Sequence, residues 1–384
     1  MSVRAGGGLG IGSDWRAALT AALDTALAPL HGEAPDLLFL FASAAYEHDY
    51  ADLLQEAMQV SQTTELAGCS ASAVIGGTRE LETEPGVAAL ALTLPRGALL
   101  NVRYLAPDEV RSAGLADISS AQCQGLVVLA DPFTTDVAGL IEALEHEYPG
   151  VTIVGGLATG NPTVHSTCVF HGAAVAEEGA VVIGVGGTLR LRPIVSQGCE
   201  PIGEPWTVTD SDKHIVRSIG GRTAYEVLAE TVNQLDPETR GRLNTNLRVG
   251  LAMNEYRDEF RRGDFLIRNL MGVDPRSGAI AVAGEPRIGQ TLQFQLLDAR
   301  AADQELRQML EGASDGSSSA ALLFACNGRG AGLFGAPDHD VRAVREVLGA
   351  LPLAGLFCNG EIGPVGGSTF VHGYTASLGL IEEV

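Results

Sequence analysis

The tripeptide Cys-Asn-Gly occurs twice toward the end of this chain, as Cys326-Asn327-Gly328-Arg329-Gly330 and as Cys358-Asn359-Gly360-Glu361-Ile362-Gly363-Pro364. Each copy follows a short apolar run, 321–325 and 353–357. A continuous, brief, turn-bounded apolar run reads as a buried strand. Between the copies, Val341, Val344, Val347, Leu348 and Leu351 recur at the spacing of a helix buried on one face. Strand, helix and strand make a crossover unit, right-handed with parallel strands in nearly all known instances. Two neighbouring strands of that kind open both glycine turns on one sheet edge, the edge where open α/β sheets hold ligands. The pattern therefore predicts two thiols, two amides, the Arg329 guanidinium and the Glu361 carboxylate beside one pocket.

The same order appears twice earlier. Residues 37–41 read as a strand, 50–60 as a helix, and 66–68 lead into Gly68-Cys69-Ser70. Residues 126–130, 134–148 and 151–154 repeat the pattern and end at Gly155-Gly156. From the start of the first strand to the glycine of the second motif the offsets run from 37 to 68, from 126 to 155 and from 321 to 355. Such near-equality suggests duplication of one unit, a β-α-β crossover followed by antiparallel strands. The fold class expected is mixed α/β, or α+β, in two modules, residues 14–216 and 217–384, with two repeats in the first and a third at 321–384. A hairpin at 206–219 and a helix at 223–235 mark the junction, and 312–319 reads as a polar linker. Residues 5–12 are glycine-rich without a preceding strand, so they read as a flexible leader and not a dinucleotide loop. Ser13 or Asp14 caps the helix that follows.

Composition removes several function classes. With 47 Asp and Glu against 25 Lys and Arg, the formal net charge is −22, which repels phosphate backbones and anionic lipid. No stretch approaches the ~20 apolar residues of a membrane span, and the amino-terminal residues carry no apolar signal core. The expectation is a cytoplasmic protein without nucleic-acid or membrane partners. The six cysteines show no CxxC spacing, so reduced thiols and no metal site are expected.

Several segments together resemble the FIST-domain family. Phe39-Leu40-Phe41-Ala42-Ser43, Gly68-Cys69-Ser70-Ala71, Glu80 and Pro85-Gly86 are similar to its amino-terminal module. Gly221-Arg222-Thr223-Ala224-Tyr225, Gly263-Asp264-Phe265-Leu266-Ile267-Arg268 and the two Cys-Asn-Gly segments are similar to its carboxy-terminal module. The resemblance implies an intracellular sensory module that binds small ligands, amino acids having been proposed, often fused to signalling outputs. It also implies a runner-up, a haem-based nitric oxide sensor. No output segment of the usual kinds is recognisable here, so a separate signalling partner is expected, or no signalling role.

The chemistry then divides. The candidate ligand-binding residues are Cys326, Asn327, Arg329, Cys358, Asn359, Glu361, Cys69 and Ser70. Arg329 offers a fork for a carboxylate and Glu361 an acceptor for an ammonium, a polarity suited to an amino acid. The plainer alternatives are that Asn and Gly supply tight bends, that the thiols are small buried hydrophobes, and that Arg329 and Glu361 brace one another. Haem needs an axial ligand, for which His165, His171 and His372 are the candidates. A cysteine-dependent enzyme needs a base oriented at the thiol, and no histidine sits in a recognised catalytic pattern, so catalysis is not expected.

Overall fold

The computed structural model describes all residues except 1, 64, 113, 116, 162–165, 244–245, 256–258 and 261. Its chain forms two compact units that cut across the 216/217 boundary. One comprises residues 1–195, 306–371 and 375–384, the other residues 196–305 and 372–374. The modules of the sequence and the units of packing are thus different divisions of the chain.

The larger unit contains three β-α-β crossovers, each with its two strands adjacent and parallel. Leu37–Ser43 pairs with Leu66–Ala71, Cys123–Ala130 with Ile153–Leu157, and Ser318–Cys326 with Leu353–Cys358. The registers coincide at the glycines, with Gly68 opposite Leu40, Gly155 opposite Val128 and Gly355 opposite Leu323. At all three a Cβ would fall 1.8, 1.9 and 1.8 Å from the carbonyl oxygen of that partner residue. No side chain fits there, so the repeated glycine is dictated by the approach of two backbones. Gly155 also has φ +155.

Each crossover is followed by an antiparallel return strand, Gly86–Thr93, Ala180–Gly187 and Ala376–Glu383, lying against its own first strand. The hairpin that precedes the return strand leaves its repeat. Val74–Gly76, from the first repeat, pairs with the third repeat's Leu353–Cys358. The third repeat's Glu361–Val365 pairs with the second's Ile153–Leu157, and the second's Val169–His171 with the first's Leu66–Ala71. Three six-stranded sheets result, each finished by a strand from another repeat.

Inner faces of the three sheets meet in one apolar core that includes Phe41, Leu90, Val127, Val154, Phe324 and Leu356. The Phe41 and Phe324 rings meet edge to face at 6.4 Å. Helices cover the outer faces, with Leu53, Leu54 and Ala57 over the first sheet, Leu140, Ile141 and Leu144 over the second, and Val341 and Val344 over the third.

The expected leader is instead a strand, Arg4–Ile11, paired antiparallel with Gly86–Thr93. Its glycines have a packing role: a Cβ on Gly6, Gly8 or Gly10 would lie 2.0, 1.9 or 1.7 Å from the carbonyl oxygens of Ala26, Ala22 and Ala18. These alanines stand one helical turn apart on Trp15–Leu27, so a bare glycine strand seats directly against a bare alanine helix. Asp14 caps that helix by accepting from the Arg16 and Ala17 amides.

The smaller unit is a single sheet, running Cys199–Asp212, Thr291–Leu297, Leu247–Ala252, Phe265–Asp274, Ala279–Val282, Ile215–Ile219 and Arg222–Thr223. Cys199–Asp212 also pairs with Ile215–Ile219, which closes the sheet into a barrel. Helix Ala224–Gln234 buries Val227 and Leu228 in the core with Val249, Ile280 and Phe294. A helix at Ala299–Glu311 went unread in the sequence, although Ala302, Leu306 and Leu310 recur on a single helical face.

Replacing Gly68, Gly155 or Gly355 by Ala is expected to destabilise the protein by about 1–3 kcal/mol or more each, the cost of overpacking against backbone that cannot yield. Gly332→Ala, where nothing lies within 4 Å of the added carbon, is the control. Urea titration checks this, and an unchanged midpoint for all three variants would contradict the close approach.

Candidate functional site

At the carboxyl ends of the three parallel pairs lies a cleft of about 380 Å³. The first repeat contributes Ser72. The second contributes Pro132, Phe133, Ala158, Thr159, Gly160, Asn161 and Thr167, and the third Asn327 and Asn359. Ser72, Thr159 and Asn359 each stand four residues beyond the repeated glycines Gly68, Gly155 and Gly355, so one position of the repeat supplies a polar side chain three times. Pro132 and Asn327 are likewise equivalent, four residues beyond Val128 and Leu323. The matching Ala44 lines an adjoining hollow of about 290 Å³, which shares Ser72, Gly160 and Asn161 with the cleft.

Hydrogen bonds tie the three edges together. The Ser72 amide and hydroxyl both reach Thr159 Oγ1, at 2.9 and 3.2 Å, and Thr159 Oγ1 donates to the Phe357 carbonyl at 2.9 Å. The Thr159 amide donates to Ser70 O at 3.2 Å, and the Phe357 amide to Ala73 O at 3.0 Å. Ser72 Oγ lies 3.4 Å from Asn327 Oδ1. Asp131, at the end of the second repeat's first strand, accepts from the Phe133 and Thr134 amides and from the Thr167 hydroxyl, fixing the loop that presents Phe133. Phe133 is 59% exposed at the cleft.

Of the residues expected at the pocket, Asn327 and Asn359 line it. Cys326 and Cys358 do face one another in register across the parallel pair, as the two turns required. Both are buried, and so are Cys69 and Ser70. Cys69 and Cys358 belong to the central core. Burial pushes both thiols well above their ordinary range, helped by neighbouring Cys168 for Cys69 and by Glu361 for Cys358. Cys326 receives the Gly328 amide on its sulfur at 3.4 Å. Ser70 Oγ accepts from the Cys168 amide at 2.9 Å, bracing the neighbouring hairpin.

Arg329 is 1% exposed and turns inward. It grips Asp340 with two nitrogens, Nε to Oδ2 at 2.7 Å and Nη2 to Oδ1 at 2.8 Å, and lies 5.2 Å from the Phe334 ring. Burial alone would raise the Asp340 carboxyl, but Arg329, with help from His339, outweighs it and holds Asp340 well below the usual range. The brace imagined between Arg329 and Glu361 is therefore, for the guanidinium, a fork onto Asp340. Glu361 is fully buried and accepts from the Thr375 amide at 3.2 Å. Burial raises it to about 8 against the pull of Thr375, Cys326 and Arg329. Glu80 is a second acid of the same kind. It accepts from the Val341 amide at 2.8 Å, and burial together with the nearby Asp340 charge raises it to about 8.

The described residues do not form a haem cradle. The described wall of the cleft offers neither imidazole nor thiol. His171 pairs with Ala67, well back from the carboxyl edge, His372 is buried and counts with the smaller unit, and His165 lies outside the described residues. No group of three or more His, Cys, Asp or Glu among the described residues could hold a metal ion.

The sequence agrees with two domain families, the FIST N domain over residues 36–222 and the FIST C domain over residues 224–364. The chain belongs to the FIST family. Domains of this family are in general sensory and bind small ligands. The chain is 37% identical over 389 residues to an uncharacterized protein of Mycobacterium bovis, covering 99% of each. It is 36% identical to another of Mycobacterium tuberculosis, covering 99% of this chain and all of the relative. Among solved structures, two cyanuric acid hydrolases align along the chain. One shares 11% identity at a TM-score of 0.34, covering 100% of both chains, and the other, from A. caulinodans, 8% at 0.35, covering 99% of both. Likeness at that level carries nothing about substrate. No helix among the described residues is long and apolar enough to cross a membrane.

Two outcomes follow from the buried charges. Asp340→Asn, which leaves the buried Arg329 charge without its partner, is expected to lose about 3–5 kcal/mol in ligand-free urea titrations, and Arg329→Lys, which keeps the charge but cannot reproduce the fork, a smaller part of that; a loss under 1 kcal/mol for Asp340→Asn would contradict the pairing. Glu361 and Glu80 keep their protons in the folded state up to about pH 8, while the unfolded chain releases them near 4.5. The folded state therefore binds more protons across that window, and stability falls as pH rises through it. Glu361→Gln should flatten the fall, gaining on the order of a few kcal/mol relative to wild type at pH 8.5 compared with pH 5. Parallel curves for the two proteins would count against the raised acid.

Proposed function

We propose that this FIST protein senses one small polar molecule, bound in the cleft at the strand ends. The observation that supports the reading most is the convergence of Ser72, Thr159 and Asn359, one from each repeat, on a single cleft. Its volume suits a metabolite, and the carboxyl edge of parallel strands is the ordinary place for one. We propose binding without turnover. The less buried of the two paired thiols, Cys326, neighbours Glu361, an acid that burial raises to about 8 and that is therefore a poor base at neutral pH. Any output then runs through a separate protein that distinguishes the occupied from the empty cleft. Amino acids, as the family resemblance implies, form the first set of candidates, with uncharged metabolites beside them.

Thermal denaturation with such a panel tests the reading, because a ligand bound only by the folded state raises the midpoint. Asn327→Ala and Asn359→Ala, both at exposed turns, should leave ligand-free stability within about 0.5 kcal/mol while weakening binding by tenfold or more. A ligand whose shift is the same in wild type and both variants binds elsewhere, and the cleft assignment fails. Recovery of a chemically altered ligand by mass spectrometry would contradict binding without turnover.

A further inference from the structure

A separate hollow, of about 270 Å³, opens at the opposite end of the third crossover. It forms where the amino-terminal strand meets the start of Leu353–Cys358, close enough that a Cβ on Gly7 would lie 2.7 Å from the Leu353 amide nitrogen. Helix His339–Leu348 and the turn at Gly77 and Thr78 complete its sides. Leu353 and Asn359 lie at opposite ends of one strand, roughly 20 Å apart at ~3.3 Å of rise per residue. Residues 2–31, 70–80 and 337–355, which include the whole lining of this hollow, are all described.

That lining divides into an apolar wall and one charge. Val341, Val344 and Leu353 are buried members of the third repeat's core, and Leu351 packs against them. Arg345 is the one charged residue of the lining. It is exposed, and its guanidinium makes no ion pair or hydrogen bond with another described residue. In a chain with 47 acids against 25 Lys and Arg, an arginine left open in this way is unusual. Its helix neighbours are occupied: Arg342 donates to the Pro337 carbonyl at 2.7 Å, and Glu346 pairs with Arg307 at 2.7 Å. The last turn of a helix favours a cation without using the donors of its side chain. Thr78 adds a hydroxyl that likewise bonds no other described residue.

We infer that this hollow binds a small monocarboxylate with a short apolar chain, its carboxylate on Arg345 and its chain along Val344 and Leu353. A guanidinium fork matches the two oxygens of a carboxylate, and the wall removes the chain from water. One cation balances one negative charge, whereas a phosphate dianion would keep a charge unmet. The occupant is a free molecule, because the volume suits one and a net charge of −22 disfavours an anionic membrane surface. This inference is independent of the cleft, whose described lining shares no residue with the hollow.

Saturation-transfer NMR on the full chain, at millimolar concentrations, compares hexanoate with hexanamide, which lacks the charge, and with acetate, which lacks the chain. Hexanoate is expected to bind at least tenfold more tightly than either. Arg345→Gln should weaken hexanoate tenfold or more and bring it level with hexanamide. Arg287→Gln, which removes an exposed arginine of the smaller unit, should leave hexanoate binding unchanged. Both positions are exposed, so unchanged urea midpoints are expected for the two variants. Absence of hexanoate binding to the wild type overturns the inference, and so does hexanoate binding that Arg345→Gln leaves intact. Hexanamide or acetate binding as tightly as hexanoate overturns the ligand class, as does displacement of hexanoate by an equal concentration of inorganic phosphate.

Discussion

Three backbone contacts hold this molecule's plan in place. At Gly68, Gly155 and Gly355 the second strand of each crossover approaches the first so closely that the missing Cβ would fall on a carbonyl oxygen. Each contact sets the register of a parallel pair, and register determines which residues emerge at the carboxyl edge. Ser72, Thr159 and Asn359 reach the cleft because each stands the same number of residues beyond such a fixed point. The chemistry of the cleft thus depends on positions that carry no side chain at all.

Burial separates two populations of polar groups around that edge. Behind it, Arg329, Asp340, Glu80 and Glu361 are buried, the arginine pairing with Asp340 and burial raising the other two acids to about 8. In front of it stand neutral amides and hydroxyls. Ionisable groups so close to a candidate site invite a reading as ligand contacts, but the geometry gives them the work of holding two turns and the hairpin at Glu80 against helix His339–Leu348.

Much of this was legible in the chain. Apolar runs, helical periodicity and glycine spacing were enough for the three crossovers, their parallel pairing and the edge at which the turns open, because these depend on local pattern. Asn327 and Asn359 were found because the turn itself named them. Ser72 and Thr159 were missed although the signal was present: counting four residues on from Gly68 and Gly155 reaches both. The fate of Arg329 was not legible, since its partner Asp340 lies on a helix whose rotation about its axis is set by packing. The amino-terminal strand was missed because a glycine run looks flexible until a helix with alanine at every fourth position is laid against it. The exchange of hairpins among repeats is also invisible in sequence, being a choice among three equally placed strand edges.

That exchange has a consequence for how many repeats such a unit can have. In a linear stack each added unit buries one face and exposes another, so the array can grow and needs caps. Here the first repeat's hairpin goes to the third, the third's to the second and the second's to the first, which is a closed circuit. The second crossover strand of every repeat already holds a hairpin, so a fourth member would have to displace one, and removing one member strands both a donor and an acceptor. The count of three is therefore fixed by closure, as in a ring of subunits, although here a single polypeptide supplies every member and each is free to diverge in what it presents at the centre.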